Sequence, residues 1–447
     1  MHHDLGGKDC SSRYLVSITS SELDMDRVRN AFNELVQRHG VLRTTFSWST
    51  EGKLKQTVHS FMDFDITVVD FSDETNPSRK VRELAIVASK EPDFKVDRLP
   101  LFTATIVNLG NNKWNLNLVF HDMCVFFALS FSFPRLTVLN HSIVDDASFG
   151  IVLHEFFVLY HNGFDSLPPQ VVQFSDFSDW FFHDHRIGSR EGQHKSWTEN
   201  LKDIQPLNLG LPNSCNTPLS DIAQVETRID TAVISRYLTF MDQSGTTASI
   251  GFFAAFSVLL YRLSLQTSFV MGTLVSQRRI SRLANVVGPI TNILPITTTI
   301  HGDQSFHDYF SSFKSNLLAS FSNDDEDYYE SLHDPNSNSS PRGIHAGHFR
   351  HVFAHDRLNL DAIAELTSNM PEILLQMDDI CSLAKIKKPY ELLLDVYSKT
   401  GHVILHFDNY LFSAETARKI LDAYIAIVGR VALDSYVQIS DIAIELP

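Results

Sequence analysis

His141 and Asp145 stand with three residues between them in His141-Ser142-Ile143-Val144-Asp145, and Asp146, Ala147 and Ser148 follow directly. An imidazole can take a proton from an attacking nucleophile, or hydrogen-bond it into line. A carboxylate close by can shape the loop that carries the ring. In a chain with 20 histidines the spacing alone is a weak signal, so its weight comes from the segments around it.

Those segments must hold the ring at a fixed point. Upstream, Asn115 to His121 reads as a strand, with Leu116, Leu118 and Phe120 on one face. Downstream, Ser148 is expected to cap a helix to about His161, with Ile151, Val152, Phe156, Leu159 and Tyr160 on its apolar stripe. A strand, a loop bearing His141 and Asp145, and a helix would make a firm mount.

The 447 residues exceed one ordinary core and suggest two domains, or three. A net charge of −16 argues against a nucleic-acid-binding surface and for a solvated, repulsive exterior. Cys10, Cys124, Cys215 and Cys381 form no paired spacing, which fits a reducing compartment and no structural zinc. The start Met1-His2-His3-Asp4-Leu5 has no apolar core of a secretory signal. Met123 to Phe133 is apolar but too short to span a bilayer. We expect a cytoplasmic protein with neither a nucleic acid nor a membrane as partner.

The rest of the chain alternates helices and strands. Arg13 to Ile18 reads as a strand, and Asp24 can cap a helix to Arg38 with Val28, Ala31, Phe32, Leu35 and Val36 buried. Gly40 stops that helix, and Val41 to Trp48 enters a strand. Arg38 and Arg43 either form ion pairs inside the fold or work directly on a ligand. Residues 185–222 are polar, apart from a helix expected around Trp197 to Leu201, and form the expected linker between an N-terminal lobe of 1–184 and a C-terminal lobe of 223–447. The second lobe opens with a strand, Ala223 to Ile229, and a helix from Thr231. A helix capped by Thr246 or Thr247 runs to Leu263 and is apolar nearly all round, so it should be buried. A strand follows at Phe269 to Thr273, and Phe306 to Ser320 reads as a helix. Asn323 to Arg342 reads as an exposed loop. His345, His348, His351 and His355 are unevenly spaced for one helix face, and no Cys, Asp or Glu completes a ligand set, so no metal site is expected. The end is a hairpin, Tyr390 to Tyr397 with His402 to Phe407, and a helix capped by Ser413.

Arg38-His39-x-x-Leu42-Arg43-Thr44-x-Phe46 resembles a motif of the condensation domains of nonribosomal peptide synthetases. Asp93-Phe94-Lys95-Val96 with Pro100-Leu101-Phe102 resembles the lead into that family's active-site strand. Phe174-Ser175-Asp176-Phe177-Ser178-Asp179-Trp180 resembles its Tyr-x-Asp-Tyr/Phe-Ala-x-Trp motif, with aromatics that we expect to pack rather than react. Gly272-Thr273-x-x-x-x-Arg278 matches its pattern, and Val287-Gly288-Pro289-Ile290-Thr291-Asn292 resembles a further one. The resemblance covers nearly the whole chain. Asp327-Tyr328-Tyr329-Glu330 keeps a later motif only faintly.

The centre departs from the family's His-His-x-x-x-Asp-Gly. His121 ends a strand of the right character, and joining it to His141 restores the tandem. The nineteen residues between, Asp122 to Asn140, are either a retained in-frame intron of fifty-seven nucleotides or a true apolar insertion. Asp146 stands where the family usually has Gly, which would let the backbone and a substrate approach closely. The chain begins after the family's opening Ser-x-Ala-Gln helix and shows no adenylation or carrier motif. We therefore expect a condensation domain alone, a fragment or a truncated gene model.

The resemblance implies an α/β fold of two chloramphenicol acetyltransferase-like lobes, set as a V-shaped pseudo-dimer around a central tunnel. It implies amide formation between a donor acyl or peptidyl thioester and an acceptor aminoacyl thioester. Donor and acceptor peptidyl carrier domains and an adenylation domain would be the partners. The phosphopantetheine arms belong to the carriers, so no cofactor is expected on this domain. In this scheme His141 is the catalytic residue, His121 its support, Asp145 the holder of the loop and Arg278 the partner of Asp145 across the lobes. Backbone N–H groups near Asp146 could face the oxyanion, with Ser148 at the helix start. Asn292 either orients a carbonyl or serves the structure. Two other readings stay open: a free-standing acyltransferase using an acyl-CoA, and a non-catalytic docking or gating domain.

Overall fold

The computed structural model describes residues 11–20, 23–50, 54–62, 64–87, 96–121, 143–163, 166–184, 204, 207–210, 222–321, 350–356, 374–376 and 390–445. The helix expected at Trp197 to Leu201, the loop Asn323 to Arg342, and His345 and His348 lie outside these residues.

The first half comprises β1 (Ser11–Thr19), α1 (Met25–Arg38), β2 (Thr44–Trp48), β3 (Leu54–Val58), β4 (Thr67–Asp70), α2 (Pro77–Val87), β5 (Phe102–Gly110), β6 (Lys113–His121), α3 (Asp146–Asn162) and α4 (Phe174–Asp184). Asp24 starts α1 as expected, its Oδ1 accepting from the N–H groups of Asp26 and Arg27 at 3.0 Å. Gly40 to Arg43 form a short 3-10 turn, so the strand expected from Val41 begins only at Thr44. The Thr44 hydroxyl fastens that turn by donating to the Gly40 carbonyl at 2.8 Å. The β5–β6 hairpin turns on Asn111 and Asn112, both left-handed at φ 51° and 61°, a conformation asparagine tolerates.

The second half comprises β7 (Ile222–Arg228), α5 (Thr231–Gln243), α6 (Ala248–Ser264), β8 (Ser268–Ser276), β9 (Thr291–Thr299), α7 (Phe306–Phe321), β10 (His351–His355), β11 (Leu374–Gln376), β12 (Leu392–Tyr397), β13 (His402–Asp408) and α8 (Ala414–Leu433). The expected hairpin is the antiparallel pair β12–β13, and Ser413 caps α8 through a bond from the Thr416 N–H. Thr247 sits at the cap of α6 but makes no side-chain capping bond. No single helix among the described residues is long and apolar enough to cross a membrane, and α6 is buried in the second core.

Each half builds most of one sheet. Among the described residues the orders are β11-β1-β6-β5-β4 and β7-β13-β12-β10-β8-β9, with β2-β3 a separate ribbon. The two cores follow this division. In the first, α1 and α3 pack together, and Phe32 on α1 meets Phe156 on α3 with ring centroids 4.7 Å apart. Phe64, Phe102 and Phe120 extend that cluster along the sheet by stacking.

Two segments of the expected C-terminal lobe sit with the first half. β11 pairs antiparallel with β1, Ile18 opposite Leu375. Leu283, Val286, Val287 and Ile290, from the segment between β8 and β9, are buried in the first core. Segments of the second half thus join both the sheet and the core of the first.

Candidate active site

Asp145 is the N-cap of α3, with extended backbone angles. Its Oδ1 accepts from the Ser148 N–H at 2.8 Å and from the Ser148 hydroxyl at 2.6 Å. The expectation that Ser148 caps this helix is thus corrected. A cap must lie outside the helix with its oxygen reaching back to the first free N–H groups, and Asp145 does this. Ser148 lies inside the first turn, fully buried.

The other oxygen faces the second half. Asp145 Oδ2 accepts from Arg278 Nη1 at 2.9 Å, from the Ile290 and Thr291 N–H groups at 3.1 and 3.0 Å, and from the Thr291 hydroxyl at 2.8 Å. Every lone-pair direction of this buried carboxylate is used. Burial would raise its pKa, but the charge and hydrogen bond of Arg278 and the bonds from Ser148 outweigh that and hold it below the usual carboxylate range.

Arg278 is as fully engaged. Its Nε donates to the Val286 carbonyl at 3.2 Å, and Nη2 reaches Ser148 Oγ at 2.7 Å and the Gly288 carbonyl at 2.9 Å. The Gly288 N–H donates to Ser148 Oγ at 2.9 Å. Only a planar fork could reach these acceptors together, which a lysine could not do. Arg279, the neighbour most easily confused with it, is exposed and turns to the Phe321 carbonyl at 3.5 Å.

Gly288 allows this close approach. Its φ is +157°, and a Cβ there would lie 2.4 Å from Cδ2 of Phe174. Phe174 and Phe177 are buried in the first core, so these motif aromatics pack.

His141 and Ser142 lie outside the described residues. Ile143 and Val144, which carry the chain from there to Asp145, are fully buried. His121 closes β6 opposite Ser11 of β1, and its side chain is outside the described residues, as is that of Asn292, placed on β9 opposite Val275. Asp146 is the first residue of α3 and half-buried. The Ser148 N–H is committed to Asp145, so this donor near Asp146 cannot serve an oxyanion.

Arg38 and Arg43 separate in role. Arg38 Nε contacts Glu155 Oε2 at 3.0 Å, and His39 Nε2 lies 2.6 Å from the same oxygen. Burial would raise the Glu155 carboxyl, but His39 and Arg38 hold it below its ordinary value. Arg43 donates instead to backbone carbonyls, those of Val36 at 3.3 Å and of His59. Arg38 is thus ion-paired inside the fold, and Arg43 is tied to main chain.

Glu155 and the contact made by Thr291 lie beyond the sequence reading. Glu155 had left a signal, a lone acid in the apolar run from Ile151 to Tyr160, where a buried charge needs partners. Thr291 stands within a motif-like segment, but its bond to Asp145 joins positions 146 apart and no local pattern shows it. Among the described residues no group of three His, Cys, Asp or Glu side chains converges to hold a metal ion.

Comparison with known proteins meets this geometry. The chain is 26% identical over 437 residues to tyrocidine synthase 3 of Brevibacillus parabrevis, covering 94% of this chain and about 6% of that protein's length. The first condensation domain of the calcium-dependent antibiotic synthetase, solved with a substrate analogue, superposes with TM-score 0.74 at 14% identity, covering 98% of this chain and 94% of that one. The X-domain of teicoplanin biosynthesis, solved in complex with OxyB, gives TM-score 0.73 at 18% identity and covers 100% and 93%. The mixed α/β fold is therefore that of the condensation domains, which is chloramphenicol acetyltransferase-like. The condensation-domain family itself matches residues 7–125 and 135–445, passing over 126–134 inside the expected interruption, and with Asp145 tied to Arg278 between the two halves the chain belongs to that family.

Proposed function

We propose that this domain joins a donor acyl or peptidyl thioester to the amine of an acceptor aminoacyl thioester, with His141 as the catalytic residue. The observation that carries the proposal is the Asp145 carboxylate, fixed by both halves four residues after His141. A loop held so firmly at its acidic end suits the presentation of one imidazole at the junction of the halves.

In this scheme the unprotonated acceptor nitrogen attacks the donor carbonyl carbon. The tetrahedral oxyanion collapses, the carbon–sulfur bond breaks and the donor arm leaves as a thiol. The proton lost by the amine passes through His141 Nε2 or Nδ1. An amine is already a nucleophile, so alignment contributes alongside base catalysis. Asp145 does no proton transfer. It is buried, ionised and matched by Arg278, which suits a structural support.

The partners in this reading are donor and acceptor peptidyl carrier domains, which supply the phosphopantetheine arms, and an adenylation domain that loads them, all in the cytoplasm. The two halves would form a V around the tunnel by which the arms reach His141. The family match on both sides of the interruption supports this scheme.

A docking role without catalysis is the second reading. It is favoured by Asp146 in place of the family's usual Gly, and by the likeness to an X-domain solved in complex with OxyB. Purified chain, with and without Asp122 to Asn140, mixed with chemically loaded donor and acceptor carriers, separates the two. Amide on the acceptor carrier from either form supports the enzyme. Carrier binding with no amide from both forms supports docking.

A further inference from the structure

The Asp145 cluster is one end of a closed set of contacts, and the set returns to α3 at Glu155. Glu155 lies ten residues beyond Asp145, about 15 Å along the helix axis. Its Oε2 meets Arg38 Nε at 3.0 Å and His39 Nε2 at 2.6 Å, with the Glu155, Arg38 and His39 side chains only 6%, 14% and 1% exposed. Arg38 Nη1 also donates to the Pro168 carbonyl at 2.6 Å, in the chain that leaves α3.

The circuit continues through Gln173. Its Nε2 donates to the Arg38 carbonyl at 2.9 Å, and its Oε1 accepts from the Gly40 N–H at 2.9 Å. The next residue, Phe174, packs directly over Gly288. Gly288 in turn contacts Ser148 and Arg278, which close on Asp145. One route from α3 thus passes forward through its cap, and the other passes through Glu155 and α4. Both end on the same glycine.

We infer that Glu155 is a positioning residue for the reaction, fixing α3 against Arg38 and His39 so that the Asp145 end of the helix holds the His141 segment in register. A helix is stiff along its axis, so an anchor at its middle constrains its N-terminus. An acid in this apolar helix is costly unless paired, and the pairing is directional in a way that packing alone is not. Loss of the charge weakens the hold of Arg38 and His39 on Glu155 and lets α3 shift against α1, which displaces the cap. This inference rests on His141 being the reacting imidazole.

The test uses Glu155→Gln in the full chain, with Tyr309→Phe as the control. The control removes a buried hydroxyl that bonds Thr298 and Ser257 in the second core, outside the circuit. In Glu155→Gln, kcat for amide formation falls at least about tenfold while KM for the loaded carriers stays within about twofold. Hydrogen exchange at the Ser148, Ile290 and Thr291 amides quickens in Glu155→Gln and not in the control. His39→Gln, which leaves the acid in place, shows a smaller effect of the same kind and serves if Glu155→Gln does not fold. Wild-type kcat and wild-type exchange at those amides overturn the inference, as do equal changes in the control. His141→Ala runs in parallel: an undiminished rate there overturns the reading of the site and leaves the exchange result to stand by itself.

Discussion

Asp145 Oδ2 and Arg278 Nη1 lie 2.9 Å apart and join residues 133 positions distant in the chain, one at the head of α3 and the other just beyond β8. The two side chains are only 2% and 10% exposed. A buried pair gains little over an apolar replacement of both partners, but removal of one partner strands the other. Arg278→Ala should therefore lower the unfolding free energy by about 3–5 kcal/mol in urea denaturation. Arg278→Lys should recover only part, because one ammonium cannot reach Asp145, Ser148 and the Val286 and Gly288 carbonyls together. A loss below about 1 kcal/mol in Arg278→Ala, the scale of an exposed pair, would show that the pair does not hold the junction.

The pH dependence has a defined sign. Asp145 and Glu155 are both held below their ordinary values, so the folded protein binds these protons more weakly than the unfolded chain does. Their contribution is whole above the unfolded carboxylate values of about 4, and is lost as pH falls through the folded values. The urea midpoint should lose none of this contribution from about pH 7 down to about pH 5, then fall below about pH 4. Asp145→Asn should be less stable at neutral pH and should show a shallower acid fall. An acid limb of unchanged steepness in that variant would contradict the assignment.

Gly288 and Phe174 should couple. Gly288→Ala introduces a Cβ 2.4 Å from the Phe174 ring at a φ of +157°. Backbone strain and overpacking together should cost about 2–4 kcal/mol. Phe174→Ala removes the two nearest ring atoms and should relieve part of the overpacking but not the strain, so the double variant should be more stable than the sum of the two single losses predicts. Strict additivity in denaturation measurements would place the two residues out of contact.

The interruption at Asp122 to Asn140 has a direct assay. If these nineteen residues are retained intron, the mature transcript lacks their fifty-seven nucleotides and His121 precedes His141 directly. Sequencing of the message should show that junction. A message that carries codons 122–140 would make the segment a true insertion.

Local physics made much of the fold legible. Asp24 at the head of α1, the buried stripe Val28 to Val36, the all-round apolar α6 and the Ser413 cap are short-range patterns, and the structure reproduces them. The pairing of Arg278 with Asp145 was legible only through resemblance to a family, since no local rule joins positions so far apart. Its remaining members were hidden for the same reason. Thr291 and the Gly288 backbone become ligands of the cap only once the segment between β8 and β9 enters the first core. By residue type Asp145 and Ser148 both suit an N-cap. Burial of Ser148 between Asp145, Arg278 and Gly288 decided between them.

The rate of amide formation by His141→Ala, measured in single turnover with loaded donor and acceptor carriers, tests the central claim most directly. Loss of a base that also aligns the amine should slow the reaction by at least about a hundredfold. Carrier binding and the urea midpoint should stay at wild-type values. An undiminished rate in a folded His141→Ala protein would contradict the account.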